Sequence, residues 1–351
     1  MMKKERSGVD DKNIIFSNRG KLRVLGMAAV LLIGSGLAAM VAGAYDISIG
    51  QVFRSIFSGG AERDGEDLAA MIVWQIRLPR ILLAIAVGVA LAAAGAVFQA
   101  CFRNPLVEPY ILGVSAGSAF GAALGIVFPQ FFLSIQLLAF LFGAAAVFSA
   151  YGLATVRGET PIVTLILAGV IIGSIGMALV SILKYISDDT ALREIVFWFM
   201  GGFYYASWTD VTIILPVVLL GVLVLWRMGW KLNVLSMGEE ESRSLGVHPE
   251  RYKLFLVVIA TLITALSVSA VGIIAWVGLM MPHAARALLG PDHRYMIPMA
   301  ALMGAIYLIW CDTLARTMTS AEIPVGIVTS ITGAPYLIYL LRTKGKSIFG
   351  A

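Results

Sequence analysis

Four charged residues stand beside or inside long apolar runs: Arg77, Arg80, Asp312 and Arg316. A charge in hydrocarbon is costly unless it is paired or faces water, so each position is informative. Asp312 and Arg316 are four residues apart, acid first, the favourable order for an ion pair on one helix. They read either as a local brace or as an arginine shared with something outside. Arg77 and Arg80 flank Leu78-Pro79 at the start of an apolar run. They read either as anchors to lipid headgroups or as a docking patch for an acidic external partner, since guanidinium groups make strong paired contacts with carboxylates.

Other reactive residue types lack the spacing their chemistry needs. Gly345-Lys346-Ser347 resembles the end of a phosphate-binding loop, but Leu340 stands where that loop needs its first glycine. ATP binding is not expected in this chain, and no cofactor is assigned to it. His248, His283 and His293 share no helical ligand spacing, so no metal site is expected. His283 is read as satisfying backbone groups at a helix break. Cys101 and Cys311 read as small packing residues and not as a disulfide. A membrane-embedded hydrolase would need a nucleophile facing a base; no spacing supports His283 and a serine in that role, and no catalytic residue is assigned.

One polar stretch, Ser236–Tyr252, carries a structural signature. Ser236 with Glu239 three residues on predicts a capped short helix that Gly246 ends and Pro249 stops. It reads either as a connector or as a rigid contact for another protein.

The elements that must hold these residues follow from composition. Of 351 residues, 59% are hydrophobic and 13% charged, roughly half the charged share of a soluble domain. Lipid must solvate much of such a chain, and its apolar runs have the length of spanning helices. About ten spans are predicted, at 22–44, 78–101, 108–128, 132–155, 161–184, 209–227, 253–271, 273–289, 295–316 and 324–342. The first run ends in Ala42-Gly43-Ala44, like a signal-peptidase site, but is longer than a signal segment and reads as a retained span. With the N-terminus inside, nineteen Lys and Arg fall on the inner side and seven on the outer. That bias predicts both termini in the cytoplasm. Ala84, Gly88, Ala92, Ala96 and Ala100, and then Gly113, Gly117, Gly121 and Gly125, repeat every four residues and predict close helix packing. The stretch Ile47–Phe57 reads as a surface-lying or connecting helix, and no loop is large enough for a catalytic domain.

Several segments carry a resemblance. They are Arg77-Leu78-Pro79-Arg80, Arg103-Asn104-Pro105-Leu106 to Pro109-Tyr110-Ile111-Leu112-Gly113, Phe197-Trp198-Phe199-Met200-Gly201-Gly202 and Gly238-Glu239-Glu240 with Ser244-Leu245-Gly246-Val247. Trp276-Val277-Gly278-Leu279, Pro282-His283 with Arg286, Asp292-His293-Arg294, Asp312 with Arg316, and Ile323-Pro324-Val325-Gly326 follow in order. The chain resembles the FecCD-type permeases for iron-siderophores, haem and vitamin B12, subunits of type II ATP-binding-cassette importers. The resemblance implies an all-α polytopic protein with an inverted repeat relating spans two to five with spans seven to ten. It divides the chain into a cytoplasmic tail 1–21, a permease domain 22–342 with a coupling loop 228–252, and a tail 343–351.

It also implies a multi-pass protein of the cell inner membrane that forms a homodimer, with the path between subunits lined by the fifth and tenth spans. An external binding protein would deliver substrate, and two cytosolic ATPases would bind ATP and Mg. Carried over by position, Arg77, Arg80 and Arg316 fall on the docking positions for the binding protein. Glu239, Glu240, Ser242, Leu245, Gly246 and Val247 fall on the ATPase-coupling helix. Thr160, Pro161 and Thr164 fall near the cytoplasmic gate, where Pro161 departs from the hydroxyl-rich stretch of the vitamin B12 permease. The substrate implied first is an iron chelate, siderophore or haem, with cobalamin or a molybdate-type oxyanion as the alternative. Nucleic acid is not a partner. A secondary transporter is the more distant reading; it would normally keep an ion site near the midplane.

Overall fold

The computed structural model describes residues 17–43, 45–57, 68–130, 133–157, 159–319 and 321–348. Most of the basic N-terminal tail, Arg63 and the last three residues lie outside them. The helices are α1 (Asn18–Val41), α2 (Ile49–Phe57), α3 (Leu68–Cys101), α4 (Val114–Val127), α5 (Ile135–Ala154), α6 (Ile162–Ile186) and α7 (Asp189–Met200). They continue as α8 (Trp208–Arg227), α9 (Gly229–Leu235), α10 (Glu239–Ser244), α11 (Pro249–Val271), α12 (Val277–Leu289), α13 (His293–Thr317) and α14 (Val325–Ile348).

Each expected span falls on one helix. Seven of them (α1, α3, α5, α6, α8, α11 and α13) are long and apolar enough to cross a membrane. The shorter α4 and α12, of 14 and 13 residues, each follow a break in the chain. Before α4 lies the 3-10 turn Pro109–Leu112; before α12, Gly272 and Trp276 take φ of 72° and 76°. These breaks leave backbone groups inside the bundle, and side chains answer them: the Tyr110 hydroxyl donates to Ile274 O at 2.8 Å, and His283 Nε2 lies 2.7 Å from Pro105 O. His283 thus has the structural role expected of it.

Helix α3 is the centre of the bundle, packed on α8, α11, α12 and α13, and nearly every side chain from Pro79 to Cys101 is buried. Its repeat of small residues explains this. Gly88 meets Gly304 of α13 and Gly95 meets Gly278 of α12 so closely that a methyl group on any of the four would overlap backbone or proline-ring atoms across the contact. The packing also carries the repeat: α3 lies on α13 as α11 lies on α5, α3 on α12 as α11 on α4, and α4 on α5 as α12 on α13.

The second span begins earlier than expected, at Leu68, so Arg77 and Arg80 lie within a helix and not at its mouth. Pro79 has no N–H to give the carbonyl one turn back and would ordinarily break such a helix. A π-helical stretch, Ile72–Arg77, precedes it, and the Leu78 N–H reaches Val73 O, five residues back. The widened turn carries the helix past the proline.

Candidate functional site

The candidate side chains gather at opposite ends of the bundle and at a cavity between them. At the loop end, α9 and α10 join α8 to α11. The expected cap is not formed: Ser236 still belongs to the turn closing α9, and its hydroxyl donates to Leu232 O at 2.8 Å. Gly238, with φ of 144°, starts α10 instead. Ser242 is buried, its hydroxyl within reach of Val234 O at 3.0 Å and Gly238 O at 2.5 Å, and so clamps α10 onto α9. The end of α10 is as expected. Gly246 takes φ of 76°, its N–H donates to Arg243 O at 3.0 Å, and the Val247 N–H donates to Ser242 O at 2.9 Å. Paired bonds of this kind satisfy a helix's last carbonyls. Val247 is buried below, while Glu240, Leu245 and Gly246 face outward.

Lys253 ties this platform to the start of α6. Its side chain is 3% exposed, and Nζ lies 3.2 Å from Glu239 Oε1 of α10, 3.1 Å from Glu250 Oε1 and 3.3 Å from Thr160 O. Glu250 Oε2 in turn accepts from the Thr160 N–H at 3.2 Å. Thr160 Oγ1 lies 3.0 Å from Thr155 Oγ1, and Pro161 caps α6. Of the three positions assigned to the gate, Thr160 is buried in this junction, whereas Pro161 and Thr164 are exposed. Sequence reasoning missed Lys253. Its signal was a lysine at the first position of an apolar run, one turn after Pro249.

At the arginine end, Arg77, Arg80 and Arg316, the positions assigned to docking, each have partners inside the chain. Arg77 and Arg80 are 4% and 6% exposed. Arg77 Nη1 donates to Met40 O at 2.5 Å and Val41 O at 3.0 Å, Nη2 donates to Tyr45 O at 2.5 Å, and Arg316 Nη2 donates to Ala39 O. Those of Ala39, Met40 and Val41 are carbonyls that the C-terminus of α1 leaves unbonded, Tyr45 lies in the turn just beyond, and two guanidinium groups cap them. Asp312 is 2% exposed, and its close partner is not local. Arg80 Nε donates to Asp312 Oδ1 at 2.9 Å and its Nη1 to Glu322 Oε2 at 3.0 Å, whereas Arg316 Nε stays 3.8 Å from Asp312. The fold brings the arginines together with an internal partner for each, which offsets part of the cost of burying it.

Between the ends, a cavity of about 520 Å³ is lined by Leu106, Glu108, Tyr110, Ala275, Trp276 and their neighbours. Aromatic and aliphatic side chains form most of it, with one carboxylate. Among the described residues no cluster of His, Cys, Asp and Glu could hold a metal, and both cysteines are buried and unpaired.

The sequence profile of the FecCD transport family matches residues 31–343. The chain belongs to that family. Among FecCD relatives, the cobalamin import permease BtuC of Halobacterium salinarum is 43% identical, covering 79% of this chain and 75% of its own. The molybdate import permease MolB of Haemophilus influenzae is 35% identical over 93% and 98%, and the hemin transport permease HmuU of Yersinia pestis 37% over 93% and 97%. A solved structure described as an inward-facing metal-chelate type ABC transporter superposes with a TM-score of 0.81 at 34% identity, covering 92% of this chain and 99% of that one. The FecCD chain described here is therefore a multi-pass membrane permease of the ABC importer type.

Proposed function

We propose that the chain is one of two identical permease subunits in an ATP-driven importer for a bulky metal chelate: an iron chelate, haem or a corrinoid. The loop end is the cytoplasmic end, where an ATPase supplies ATP and Mg and contacts α10. A binding protein delivers substrate at the arginine end. The Lys253 junction carries this reading, because it links α10 directly to the first residues of α6. Closure of the ATPase pair that moves α10 would pull on Thr160 and so switch access between the two sides. The exposed apolar side of α6, including Leu167, Val170, Ile171 and Ile175, suits a second copy across the path.

The Trp276 cavity favours a chelate over an oxyanion, since its lining offers aromatic surface and Glu108 but no cation. The subunit should be reconstituted in liposomes with its ATPase and binding protein and offered haem, ferric siderophore, cobalamin and molybdate. ATP-dependent, protonophore-insensitive uptake of a chelate, reduced in Trp276→Ala, is expected. Uptake of molybdate alone overturns the substrate class, and collapse with the proton gradient overturns the importer.

A further inference from the structure

A second cavity, of about 620 Å³, opens at the loop end where α3, α12 and α13 meet, and shares no lining residue with the Trp276 cavity. Gln99, Arg103, Asn233, Arg286, Asp292 and His293 contribute to its wall. Transport as proposed gives Arg286 and His293 no task. Among the described residues neither Arg103 nor Arg286 has an ion-pair partner. His293 and Gln99 are 5% and 3% exposed, yet His293 Nε2 and Gln99 Oε1 have no hydrogen-bond partner.

The two unsatisfied atoms are both acceptors. Gln99 Nε2 donates to Leu279 O at 3.1 Å, so the amide oxygen is the atom left over. Asn233 Nδ2 donates to Asp292 Oδ1 at 2.8 Å, which fixes Asn233 Oδ1 as the group facing His293 Nδ1 at 2.7 Å. The ring hydrogen therefore sits on Nδ1 and a lone pair on Nε2. Buried acceptors without donors carry a desolvation cost that a ligand with hydroxyl groups relieves. Asp292 places a carboxylate on the same wall. Burial would raise its pKa, but Arg294, at 2.7 Å, and Asn233 hold it well below the ordinary carboxylate value. With that charge already paired, Arg103 and Arg286 set the sign of the cavity.

We propose that this cavity binds a phosphate ester bearing free hydroxyls, with Arg103 and Arg286 on the phosphate and hydroxyl groups donating to His293 Nε2 and Gln99 Oε1. Guanidinium forks suit phosphate oxygens, and the volume lies within the range of small-ligand sites. Basic pockets between membrane helices at one face hold lipid headgroups. A phosphoglycerol lipid headgroup and a soluble polyol phosphate offer this same chemistry. The site shares no residue with the Trp276 cavity proposed for the transported substrate.

The test uses the full chain, delipidated in neutral detergent, with the thermal unfolding midpoint as readout. Glycerol 1-phosphate and inorganic phosphate are titrated against sodium chloride at equal ionic strength. In a second arm, nanodiscs of phosphatidylcholine are compared with and without phosphatidylglycerol. A saturable rise with glycerol 1-phosphate at lower concentration than with inorganic phosphate supports a soluble ligand. A rise confined to phosphatidylglycerol supports the lipid. Arg103 is exposed and without an ion-pair partner, so Arg103→Gln should fold normally and weaken the apparent affinity about tenfold, the loss expected for one charge-assisted contact. Gln99→Leu should erase the preference for glycerol 1-phosphate over inorganic phosphate. No probe exceeding sodium chloride, or shifts unchanged in Arg103→Gln/Arg286→Gln, overturns the proposal.

Discussion

Arg80 and Asp312 are buried against each other at the arginine end, 232 positions apart in sequence, and neither has water to fall back on. Removing one member strands the other charge, which typically costs about 3–5 kcal/mol. Arg80→Gln and Asp312→Asn should therefore each lower the unfolding midpoint in detergent markedly. Arg243→Ala, at the exposed 3.8 Å pair with Glu159, should change it by less than about 1 kcal/mol. Arg77 and Arg316 hold backbone carbonyls of α1, so Arg77→Glu should loosen α1 and expose its end to protease. A variant that stays fully folded yet loses binding-protein affinity at low salt would instead return Arg77 to a docking role.

Helix α10 and the start of α6 form one mechanical unit through Lys253. The isosteric Lys253→Met variant leaves Glu239 and Glu250 without their cation while the outward face of α10 is untouched. It should retain the ATPase in a pull-down but lose at least tenfold in transport, with ATP hydrolysis no longer stimulated by loaded binding protein. Leu245→Glu/Gly246→Glu acts on the contact itself and should reduce ATPase capture as well. Gly246→Val is a further control, because a β-branched residue resists φ of 76° and unwinds the end of α10. If Lys253→Met transports normally, the junction is only structural.

The whole bundle rests on α3 meeting α12 and α13 at glycine. Gly304→Leu or Gly88→Leu cannot be absorbed by a rotamer change, since the obstruction is backbone, and neither variant should yield folded protein. Gly26→Leu, where nothing lies within 4 Å, should be tolerated. The nineteen-to-seven division of Lys and Arg belongs to this scale too. A reporter fused after Lys346 should be cytoplasmic and one inserted at Gly60 external; Gly60 lies outside the described residues. A cytoplasmic reporter at Gly60 would invert the proposed assignment of the two ends.

Local properties were readable from residue order. Hydropathy placed the helices, seven of them long and apolar enough to span, because a bilayer demands long apolar helices whatever their neighbours do. Small residues every four positions marked α3 and α4 as packing helices, and Gly246 marked the end of α10 because only a residue at ease with positive φ closes a helix there. Pairwise facts across long stretches of chain were not readable. Nothing near Asp312 announces Arg80, nothing near Glu239 announces Lys253 or Thr160, and the orphan carbonyls of α1 become a reason to bury Arg77 only once α3 lies beside them. The same four-residue spacing that made Asp312 and Arg316 look like a pair holds for any helix. A partner on another helix won because its approach direction, set by the Gly88–Gly304 contact, brings a guanidinium closer than the neighbour on the same helix. Sequence fixes which groups need partners; the tertiary packing decides which partners they find.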